Sequence, residues 1–391
     1  MKPGAFVMVN GRGARRARRG HPWIFSDDVV RAEAVSGQVV DVRDRGGACL
    51  ARAVYSSTSR IALRRVAPAG TETGSAFWIE RAEAALARRR QVGLGPCRRL
   101  VHADADGFPG LTVDRYGEGL VFQATTAWAD RAAPEIVSFL GRRLGCRWIL
   151  ARNDVDVRRR EGLETGVDAV EGMVPDEIVV DEAGQLRIVS PRRGHKTGLY
   201  LDQQENHRAA SRWIRGRVLD LFCGEGGFAL PLAAAGSRVV AVDQARAGLD
   251  RADRAALAAG LDRRIEWLEA NVFDFLADAD RRDRCFDGIV LDPPPFARHR
   301  KALAGGLKGL RDLHRRALRR LVPGGRLLTF SCSFAVSQEA FESAVRAGAE
   351  EAGVRLAVLG RPGPAPDHPE ALEVPESRYL RGLLLERRAE S

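Results

Sequence analysis

The stretch VLDLFCGEGGFAL, residues 218–230, joins an apolar strand pattern to a glycine-rich turn and then to the start of a helix. Gly224, Gly226 and Gly227 follow the apolar run directly, at a point where a backbone without side chains can approach a bound ligand. Asp243 ends the next apolar run, where a carboxylate can bind ribose hydroxyls. This part of the sequence therefore predicts the pocket of a nucleoside cofactor.

The chain from about residue 190 onward alternates strand patterns with helical patterns. The strand patterns are RVLDLFCG, RVVAVDQ, IEWLEANV, FDGIVLDPPPF, GRLLTFSCS, VRLAVLGR and YLRGLLLERR. Strands separated by helical patterns of this length form a doubly wound, mainly parallel sheet. We therefore predict an α/β protein whose Rossmann-like domain covers residues 189–391.

Two smaller domains are predicted before it. Residues 1–72 contain short β-like runs separated by Gly, Asp and Ser turn signals, which predicts a small β-rich domain. Residues 73–188 begin with the amphipathic pattern SAFWIERAEAALARRRQVG and continue with the hairpin-like GFPGLTVDRYGEGLVFQATT. This order of patterns predicts a central α+β domain.

Length and composition exclude several classes of protein. A chain of 391 residues exceeds what one hydrophobic core usually covers. The sequence contains neither a secretory leader nor an apolar run of about 18 residues, so we expect a cytoplasmic protein with no membrane partner. Six scattered cysteines predict free thiols, and turn chemistry explains the aspartates at positions 104, 106 and 114, so no metal site is predicted.

The charge of the chain has two interpretations. The net charge of +11 fits a polyanionic partner, but only four of the 62 basic residues are lysine, so the charge also fits a compositional bias toward arginine. A basic arm precedes the motif HPWIFS, and its arginines are Arg12, Arg15, Arg16, Arg18 and Arg19. These side chains either contact RNA phosphates or form a solvated charged surface, and the sequence leaves both open.

Two aspartates bear on the choice of cofactor. Gly224, Gly226 and Ala229 also satisfy the loose fingerprint of dinucleotide-binding enzymes. Asp220, however, lies inside the strand before the glycines, where its carboxylate is available to the charged amino group of a cofactor, and Asp292 opens DPPPF after a later strand. A dehydrogenase needs neither carboxylate, so the pattern disfavours that class.

Several motifs resemble those of one enzyme family. DLFCGEGGF, VVAVDQ, IVLDPPPF and LLTFSCS resemble successive motifs of class I S-adenosylmethionine-dependent methyltransferases. RRGHKTGLYLDQQENHRAA, GHPWIFSDDV and DGFPGLTVDRYG are similar to segments of the bacterial enzymes that carry an N-terminal PUA domain and methylate cytosine carbon 5 in 23S ribosomal RNA. The likeness covers almost the whole chain. It implies S-adenosylmethionine as cofactor and 23S ribosomal RNA or a large-subunit precursor as partner, and it leaves open whether the protein forms a homodimer.

The resemblance also implies a PUA domain at 1–72, a central domain at 73–188 and a catalytic domain at 189–391. The implied cofactor-binding residues are Lys196, Tyr200, Asp202, Gln203, Asp220, Phe222, Gly224, Gly226, Asp243, Asn271 and Asp292. Asn271 stands where the family often has an Asp that faces adenine, and its amide can also accept and donate hydrogen bonds. Pro295 stands where the family motif DPPKF has Lys, so that substrate contact is missing here.

Cys332, in LLTFSCSFAV at residues 327–336, is the predicted nucleophile. Carbon 5 of cytosine is a poor nucleophile, but addition of a thiolate to carbon 6 converts the ring into an enamine that can attack a methyl sulfonium. The strands before Asp292 and Cys332 are predicted neighbours, so both side chains should meet at the edge of the sheet where ligands bind. Asp292 is the second predicted catalytic residue, because it could support the charge that develops near ring N3.

Four alternatives concern these residues. Cys332 could be an inert packed thiol, since free cysteines are among the most buried residues, and Cys223 is interpreted in this way. DPPPF also resembles the Asn/Asp-Pro-Pro-aromatic motif of amino-group methylases, which need no thiol. The fold could instead serve a noncatalytic RNA-binding or assembly factor, although the intact cofactor motif argues against it. Asp367 and His368 either supply a base or rigidify a proline-rich turn.

Overall fold

A computed structural model describes residues 4–92, 95–182, 184–297, 300–374 and 377–389. The chain divides into two compact units. The first unit comprises Met1–Val180, Val189–Leu201 and Pro366–Ser377, and the second comprises Asp181–Ile188, Asp202–Ala365 and Arg378–Ser391. The chain therefore passes between the units several times, and the domain boundaries after residues 72 and 188 stay predictions. Across the described ranges, no helix has the length and apolar character needed to cross a bilayer.

A six-stranded sheet forms the N-terminal part of the first unit. Its strands are β1 (Phe6–Val9), β2 (Trp23–Ile24), β3 (Val29–Glu33), β4 (Val39–Arg43), β5 (Cys49–Tyr55) and β6 (Leu63–Pro68), in the order β2-β6-β5-β4-β1-β3. β1 and β4 are parallel, and the other neighbours are antiparallel. Alternate side chains of β1 and β4 are fully buried in one core, as for Val7, Val9, Val40 and Val42.

The segment predicted as a basic arm is a helix, α1 (Gly11–Arg18). Asn10 caps its N-terminus, because the side-chain oxygen accepts hydrogen bonds of 2.9 and 3.0 Å from backbone N–H groups of the first turn. Gly13 and Ala17 lie on the buried face, and a Cβ added to Gly13 would lie only 2.9 Å from the Cβ of Val9. Small residues thus let the helix pack closely against the sheet, which corrects the prediction of an arm.

A five-stranded sheet forms the central part of the first unit. Its strands are β7 (Arg98–His102), β8 (Leu111–Tyr116), β9 (Gly119–Ala124), β10 (Trp148–Arg152) and β11 (Val167–Glu171), in the order β11-β10-β9-β8-β7. The accompanying helices are α2 (Ser75–Gln91), α3 (Ala127–Leu144) and the short α4 (Val157–Arg160). The predicted hairpin is the antiparallel pair β8–β9. A separate two-stranded sheet follows, formed by β12 (Ile178–Glu182) and β13 (Gln185–Val189).

A seven-stranded sheet forms the second unit. Its strands are β14 (Arg217–Leu221), β15 (Arg238–Asp243), β16 (Ile265–Glu269), β17 (Phe286–Leu291), β18 (Leu321–Ser331), β19 (Leu356–Gly360) and β20 (Arg381–Arg387). The helices of this unit are α5 (Gln204–Trp213), α6 (Ala229–Ala234), α7 (Arg246–Ala258), α8 (Val272–Arg281), α9 (Leu303–Arg319) and α10 (Gln338–Ala352). Each predicted strand pattern has become a strand, and the α/β fold class is confirmed.

The strand order of this sheet reverses beside β14. The order is β16-β15-β14-β17-β18-β20-β19, so the chain adds two strands on one side of β14 and then crosses to the other side. The four pairings among β14 to β18 are parallel, which brings the C-terminal ends of these strands to one edge. Ligands in open α/β sheets bind outside such ends, where the order reverses. The fold thus places the end of VLDLFCG beside that of IVLDPPPF.

Helices cover both faces of the sheet because its strands are apolar on both faces. Leu219 and Leu221 of β14 belong to one buried cluster, which includes side chains of α8, α9 and α10. Val218 belongs to a second cluster, which includes side chains of α5, α6 and α7. Successive residues of a strand point to opposite faces, so this division is what a doubly wound sheet requires.

His314 of α9 links this helix to β18 inside the core. Its Nδ1 lies 2.6 Å from the carbonyl oxygen of Leu310, which can only accept, so Nδ1 carries the proton. Its Nε2 then accepts from the hydroxyl of Thr329 at 2.9 Å. Burial lowers the pKa of His314 from 6.5 to about 4. The neutral ring is therefore the form that the fold accommodates.

We predict that His314→Gln reduces the loss of stability in acid. The unfolded chain takes up the proton near pH 6.5 and the folded protein only near pH 4, so the stability present above pH 6.5 is lost as the pH falls toward 4. Between neutral pH and about pH 4, the unfolding free energy of the wild type should fall by roughly 3 kcal/mol more than that of the variant. Denaturant titrations measure this difference. Exposed His195 provides the control, and equal acid losses in wild type and His314→Gln would contradict the assignment.

Candidate active site

The glycine-rich turn after β14 has a backbone shape that few side chains allow. Phe222, Gly224 and Gly226 have φ angles of +63°, +54° and +75°. A Cβ added to Gly224 would meet no atom within 4 Å, so open space lies beside this turn. Asp243, at the end of β15, fixes the turn, because its Oδ2 accepts from the N–H of Gly224 at 2.9 Å and its Oδ1 from that of Ala245 at 2.8 Å. The turn therefore offers both room and a carboxylate to a ligand.

Asp220 is a fully buried carboxylate in β14 beside this space. Among the residues that the structure describes, neither of its oxygens has a hydrogen-bond partner. Burial and the charge of Asp292 raise the pKa of Asp220 to about 8, and the backbone N–H of Ala229 opposes this shift without making a hydrogen bond of normal geometry. A buried carboxylate without a donor is costly, and a cation placed against it would favour its ionised form. Asp220 thus fits a ligand that carries an ammonium group.

Asn271 performs a structural task at the neighbouring strand end. It caps α8, since its Oδ1 accepts from the N–H of Phe273 at 2.9 Å and of Asp274 at 3.4 Å. The side chain is exposed, and its amide nitrogen can still donate. Its predicted contact with adenine therefore depends on the NH₂ group and stays a prediction.

Asp292 follows β17 and is held by a chain of amides. Gln203 donates from Nε2 to Oδ2 of Asp292 at 3.0 Å, and Asn206 donates to Oε1 of Gln203 at 2.6 Å. Asn206 also donates to the carbonyl of Gly363 at 2.9 Å. Asp202, the residue before Gln203, accepts a 2.7 Å hydrogen bond from the hydroxyl of Tyr379. The segment before α5 thus orients the carboxyl group of Asp292 at the edge of the sheet.

Cys332 follows β18 and reaches the same edge. The predicted pairing of β17 with β18 is present, with Leu291 opposite Thr329. Sγ of Cys332 lies 3.8 Å from the carbonyl oxygen of Pro293, the residue after Asp292. The thiol is partly exposed, whereas Cys223 is buried and its pKa is raised well above the usual value by burial. The structure therefore brings Asp292 and Cys332 together and favours Cys332 as the accessible thiol of the two.

Comparisons with known proteins agree with this geometry. Residues 7–67 match the model of a PUA-like domain, and residues 167–372, more than half of the chain, match that of an S-adenosylmethionine-dependent methyltransferase. Ribosomal RNA large subunit methyltransferase I of Tolumonas auensis is 37% identical over 379 residues, which cover 94% of this chain and 95% of the relative. The chain belongs to this family. The predicted family and cofactor are confirmed, and S-adenosylmethionine supplies a methyl group on a sulfonium.

Other relatives extend this result. The protein of the same name from Aeromonas hydrophila is 37% identical over 396 residues, which cover 98% of this chain and 99% of the relative. The crystal structure of SMU.776 complexed with SAH has a TM-score of 0.85 at 21% identity, and the match covers 97% of this chain and 99% of that one. This second likeness shows the fold alone.

The sequence did not predict a group of buried residues that contacts the glycine-rich turn after β14. Arg187 of β13 donates to the carbonyl of Glu225 at 2.7 Å and to the carboxylate of Glu182 at 2.8 Å. Glu182 also pairs with Nδ1 of His207 at 3.1 Å, and all of these side chains are buried. A Cβ added to Gly227 would lie 2.4 Å from Nε2 of His207, so the ring packs directly under the turn. No local signal marks this network, because its members come from separate elements.

Some predicted residues lie in the first unit. Lys196 and Tyr200 belong to it, with Nζ of Lys196 4.7 Å from the centroid of the Tyr200 ring, and their role in cofactor binding stays a prediction. Asp367 and His368 also belong to it and are buried. Asp367 accepts from the N–H of Arg99 at 2.8 Å and pairs with Nδ1 of His368 at 2.7 Å, which favours their structural interpretation.

The arginines of α1 fall into two groups. Arg12 and Arg16 approach the buried carboxylate of Asp28, and Arg18 pairs with Asp44 at 2.6 Å. Arg15 and Arg19 are exposed, and no ion pair of either is found among the described residues. Arg19 directly follows α1 and keeps a helical backbone conformation, so it lies on the same side as Arg15, four positions earlier. This face is the most available part of the predicted RNA surface.

The three aspartates near Gly107 form ion pairs with arginines in addition to any role in turns. They are Asp104, Asp106 and Asp114. Arg64 pairs with Asp104 at 2.9 Å and Arg99 with Asp114 at 2.8 Å. Asp106 pairs with two arginines of α2 and is fully buried at its side chain. Within the described part of the chain, no group of three His, Cys, Asp or Glu side chains is arranged to hold a metal.

We predict that Asp220→Asn raises stability and lowers cofactor affinity. The folded pKa of Asp220 is about 8 against 3.8, so the stability that this group contributes below pH 3.8 is lost as the pH rises toward 8. Asn does not titrate, and its variant should be more stable at neutral pH by roughly 2–4 kcal/mol. Loss of the charge should weaken binding of S-adenosylmethionine about tenfold or more.

Denaturant titration and calorimetry test this pair of opposite effects. Glu266→Gln, an exposed carboxylate of β16, is the matched control and should change neither value appreciably. A variant that is less stable than the wild type and binds the cofactor equally well would refute the role of Asp220.

Proposed function

We propose that this methyltransferase forms 5-methylcytosine in large-subunit ribosomal RNA through a covalent bond between Cys332 and carbon 6 of the base. The substrate class rests on the names of the two relatives. The observation that carries the chemistry is the position of the thiol, partly exposed and 3.8 Å from the carbonyl that follows Asp292. A methyltransferase that acts on an amine needs no thiol at this point.

Cys332 acts as the nucleophile in this proposal. Its thiolate adds to carbon 6, and the electron pair of the C5–C6 bond becomes available at carbon 5, which accepts the methyl group. A base then removes the proton from carbon 5, the double bond re-forms and the thiolate leaves. The C-terminal end of β18 suits this role because ligands in open α/β sheets bind outside the C-terminal ends of the parallel strands.

Asp292 supports the ring during this attack. Negative charge develops toward ring N3 when the thiolate adds, and in this proposal the protonated carboxyl group of Asp292 stabilises it by donating a hydrogen bond to N3. Gln203 fixes one oxygen of Asp292 through its 3.0 Å hydrogen bond, so the direction of the carboxyl group is set before the substrate arrives. Asp292 thus has a predicted place in the chemistry and also lies beside the cofactor pocket through its interaction with Asp220.

One observation supports a second candidate, methylation of an exocyclic amine. The carbonyl of Pro293 lies at the same edge, and a carbonyl next to a carboxyl group can accept hydrogen bonds from an NH₂ group. In that reaction the thiol of Cys332 would serve only as packing. The two candidates therefore differ in whether Cys332 reacts.

We predict that Cys332→Ser loses essentially all product while it still folds and binds the cofactor. A serine hydroxyl is far less ionised than a thiol near neutral pH, so it cannot add to carbon 6 at a useful rate. Wild type should form an adduct with RNA that carries 5-fluorocytosine, because carbon 5 then has no removable proton. Denaturing electrophoresis detects the adduct, and Asp292→Asn should slow its formation.

Cys285→Ser is the matched control for this experiment. Cys285 is also a partly exposed thiol, but it precedes β17 and so lies at the opposite end of that strand. Cys285→Ser should form the adduct with 5-fluorocytosine RNA to the same extent as the wild type. Near-normal methylation by Cys332→Ser, with no adduct in the wild type, would replace the proposal with the amine reaction.

We predict that RNA binding depends on Arg15 and Arg19 more than on Arg12 and Arg18. Replacing the first pair with Gln should reduce the slope of log affinity against log salt by roughly 1.4 to 1.8, the value for two lost phosphate contacts. The second pair is the control, because its charges are already matched by carboxylates. Filter binding at several salt concentrations measures both slopes. An equal change in both variants would contradict a special role for Arg15 and Arg19 in RNA binding.

A further inference from the structure

Phe334 is an exposed aromatic side chain two residues beyond the proposed nucleophile. The ring is 71% exposed. Its backbone is nevertheless fixed, because the N–H of Val336 donates to the carbonyl of Ser333 at 3.1 Å and closes a turn around it. Val336 is fully buried, and Ser337 caps α10 through a 3.2 Å hydrogen bond from Ala340. The exposure of Phe334 is thus built into a well-anchored turn.

A second ring supports Phe334 from the side. The centroids of Phe334 and Tyr379 lie 5.7 Å apart, with 31° between the ring planes. The hydroxyl of Tyr379 donates to Asp202 at 2.7 Å, and the next residue, Gln203, donates to Asp292 at 3.0 Å. The aromatic pair and the carboxyl group at the edge of the sheet are therefore held by the same short segment.

A single exposed phenylalanine normally requires no explanation. This one combines three properties that a scattered surface residue lacks: a fixed turn, a supporting ring and a position next to the reactive thiol. Buried Ser333 stands between Cys332, which is partly exposed, and Phe334, which faces solvent. The exposed ring therefore follows the partly exposed thiol by two residues, close in the chain to the point where the nucleotides on either side of a target at Cys332 would pass.

We propose that Phe334, supported by Tyr379, is a stacking platform for the nucleobase adjoining the target in the RNA chain. The inference rests on the proposed function in taking RNA as the substrate. A target base must leave its stack to reach a pocket, which deprives its neighbour of a stacking partner. An aromatic face at the rim replaces that partner, and such stacking tolerates any base because every base has a π-face. Phe334 is therefore a positioning residue and takes no part in bond formation.

The test compares Phe334→Ala with Phe334→Leu and Phe334→Trp. Loss of the ring should raise KM for RNA about tenfold or more, whereas kcat at saturating RNA and the affinity for S-adenosylmethionine should change little. Leu keeps the bulk without the π-face and should resemble Ala, whereas Trp should restore KM. Leu257→Ala is the control, since Leu257 is 64% exposed on α7 of the same unit.

A fluorescent base gives a readout that a structural role would not change. RNA with 2-aminopurine beside the target should be quenched on binding to the wild type and to Phe334→Trp, but not to the Ala or Leu variants. If Phe334→Ala or Phe334→Leu had the same KM for RNA and the same fluorescence quenching as the wild type, the proposal that Phe334 is a stacking platform would be wrong.

The platform and the proposed function can fail separately. An adduct with 5-fluorocytosine RNA, together with unchanged KM and quenching in Phe334→Ala, would remove the platform alone. Absence of the adduct in the wild type, together with the expected effects of Phe334→Ala, would remove the covalent mechanism and keep the platform.

Discussion

The reversal of strand order beside β14 is the constraint on which the catalytic unit depends. Because β14 and β17 are parallel neighbours, their C-terminal ends are adjacent, and the helices that follow them, α6 and α9, pack on opposite faces of the sheet. Asp220 and Asp292 come from these two strands, and Cys332 comes from the next strand on the same side. The pairing of the sheet therefore brings Asp220, Asp292 and Cys332, the residues predicted to act in cofactor binding and catalysis, to one edge before any side-chain contact is considered.

Buried charge maintains the shape of the cofactor pocket in two different ways. Around the glycine turn, Arg187 and Glu182 are matched, so each offsets the desolvation of the other while Arg187 holds the carbonyl of Glu225. Asp220, in contrast, is buried without a hydrogen-bond partner in the described part of the chain, and burial raises its pKa because the charged form is poorly solvated there. The paired charges keep the backbone in a conformation that glycines permit. The carboxylate of Asp220 lies where a cationic group of the cofactor is predicted to bind.

Several arginines in the described part of the chain have a structural role as partners of buried carboxylates. Arg89 pairs with Asp106 and Arg99 with Asp114, all at buried or nearly buried side chains. The guanidinium group suits this use because its planar donors match a carboxylate in two places at once. Net charge is therefore a poor guide to the predicted RNA surface. Arg15 and Arg19 are identified as candidates only when the arginines that pair with carboxylates are excluded.

The sequence by itself determined the alternating strands, the glycine turn, the place of Asp220 inside its strand and the strand ends that carry Asp243, Asp292 and Cys332. These features are local, since apolar periodicity and the conformational freedom of glycine act within a few residues. It did not determine that the basic segment forms a helix. Gly13 and Ala17 allow that helix to pack closely on the sheet, and their importance is visible only once the position of the sheet is known. Only the tertiary structure showed that Gln203 holds Asp292, that Tyr379 supports Phe334 and that Arg187 supports Glu225. Those contacts join residues that are distant in the chain, and no local pattern encodes which distant side chains will meet.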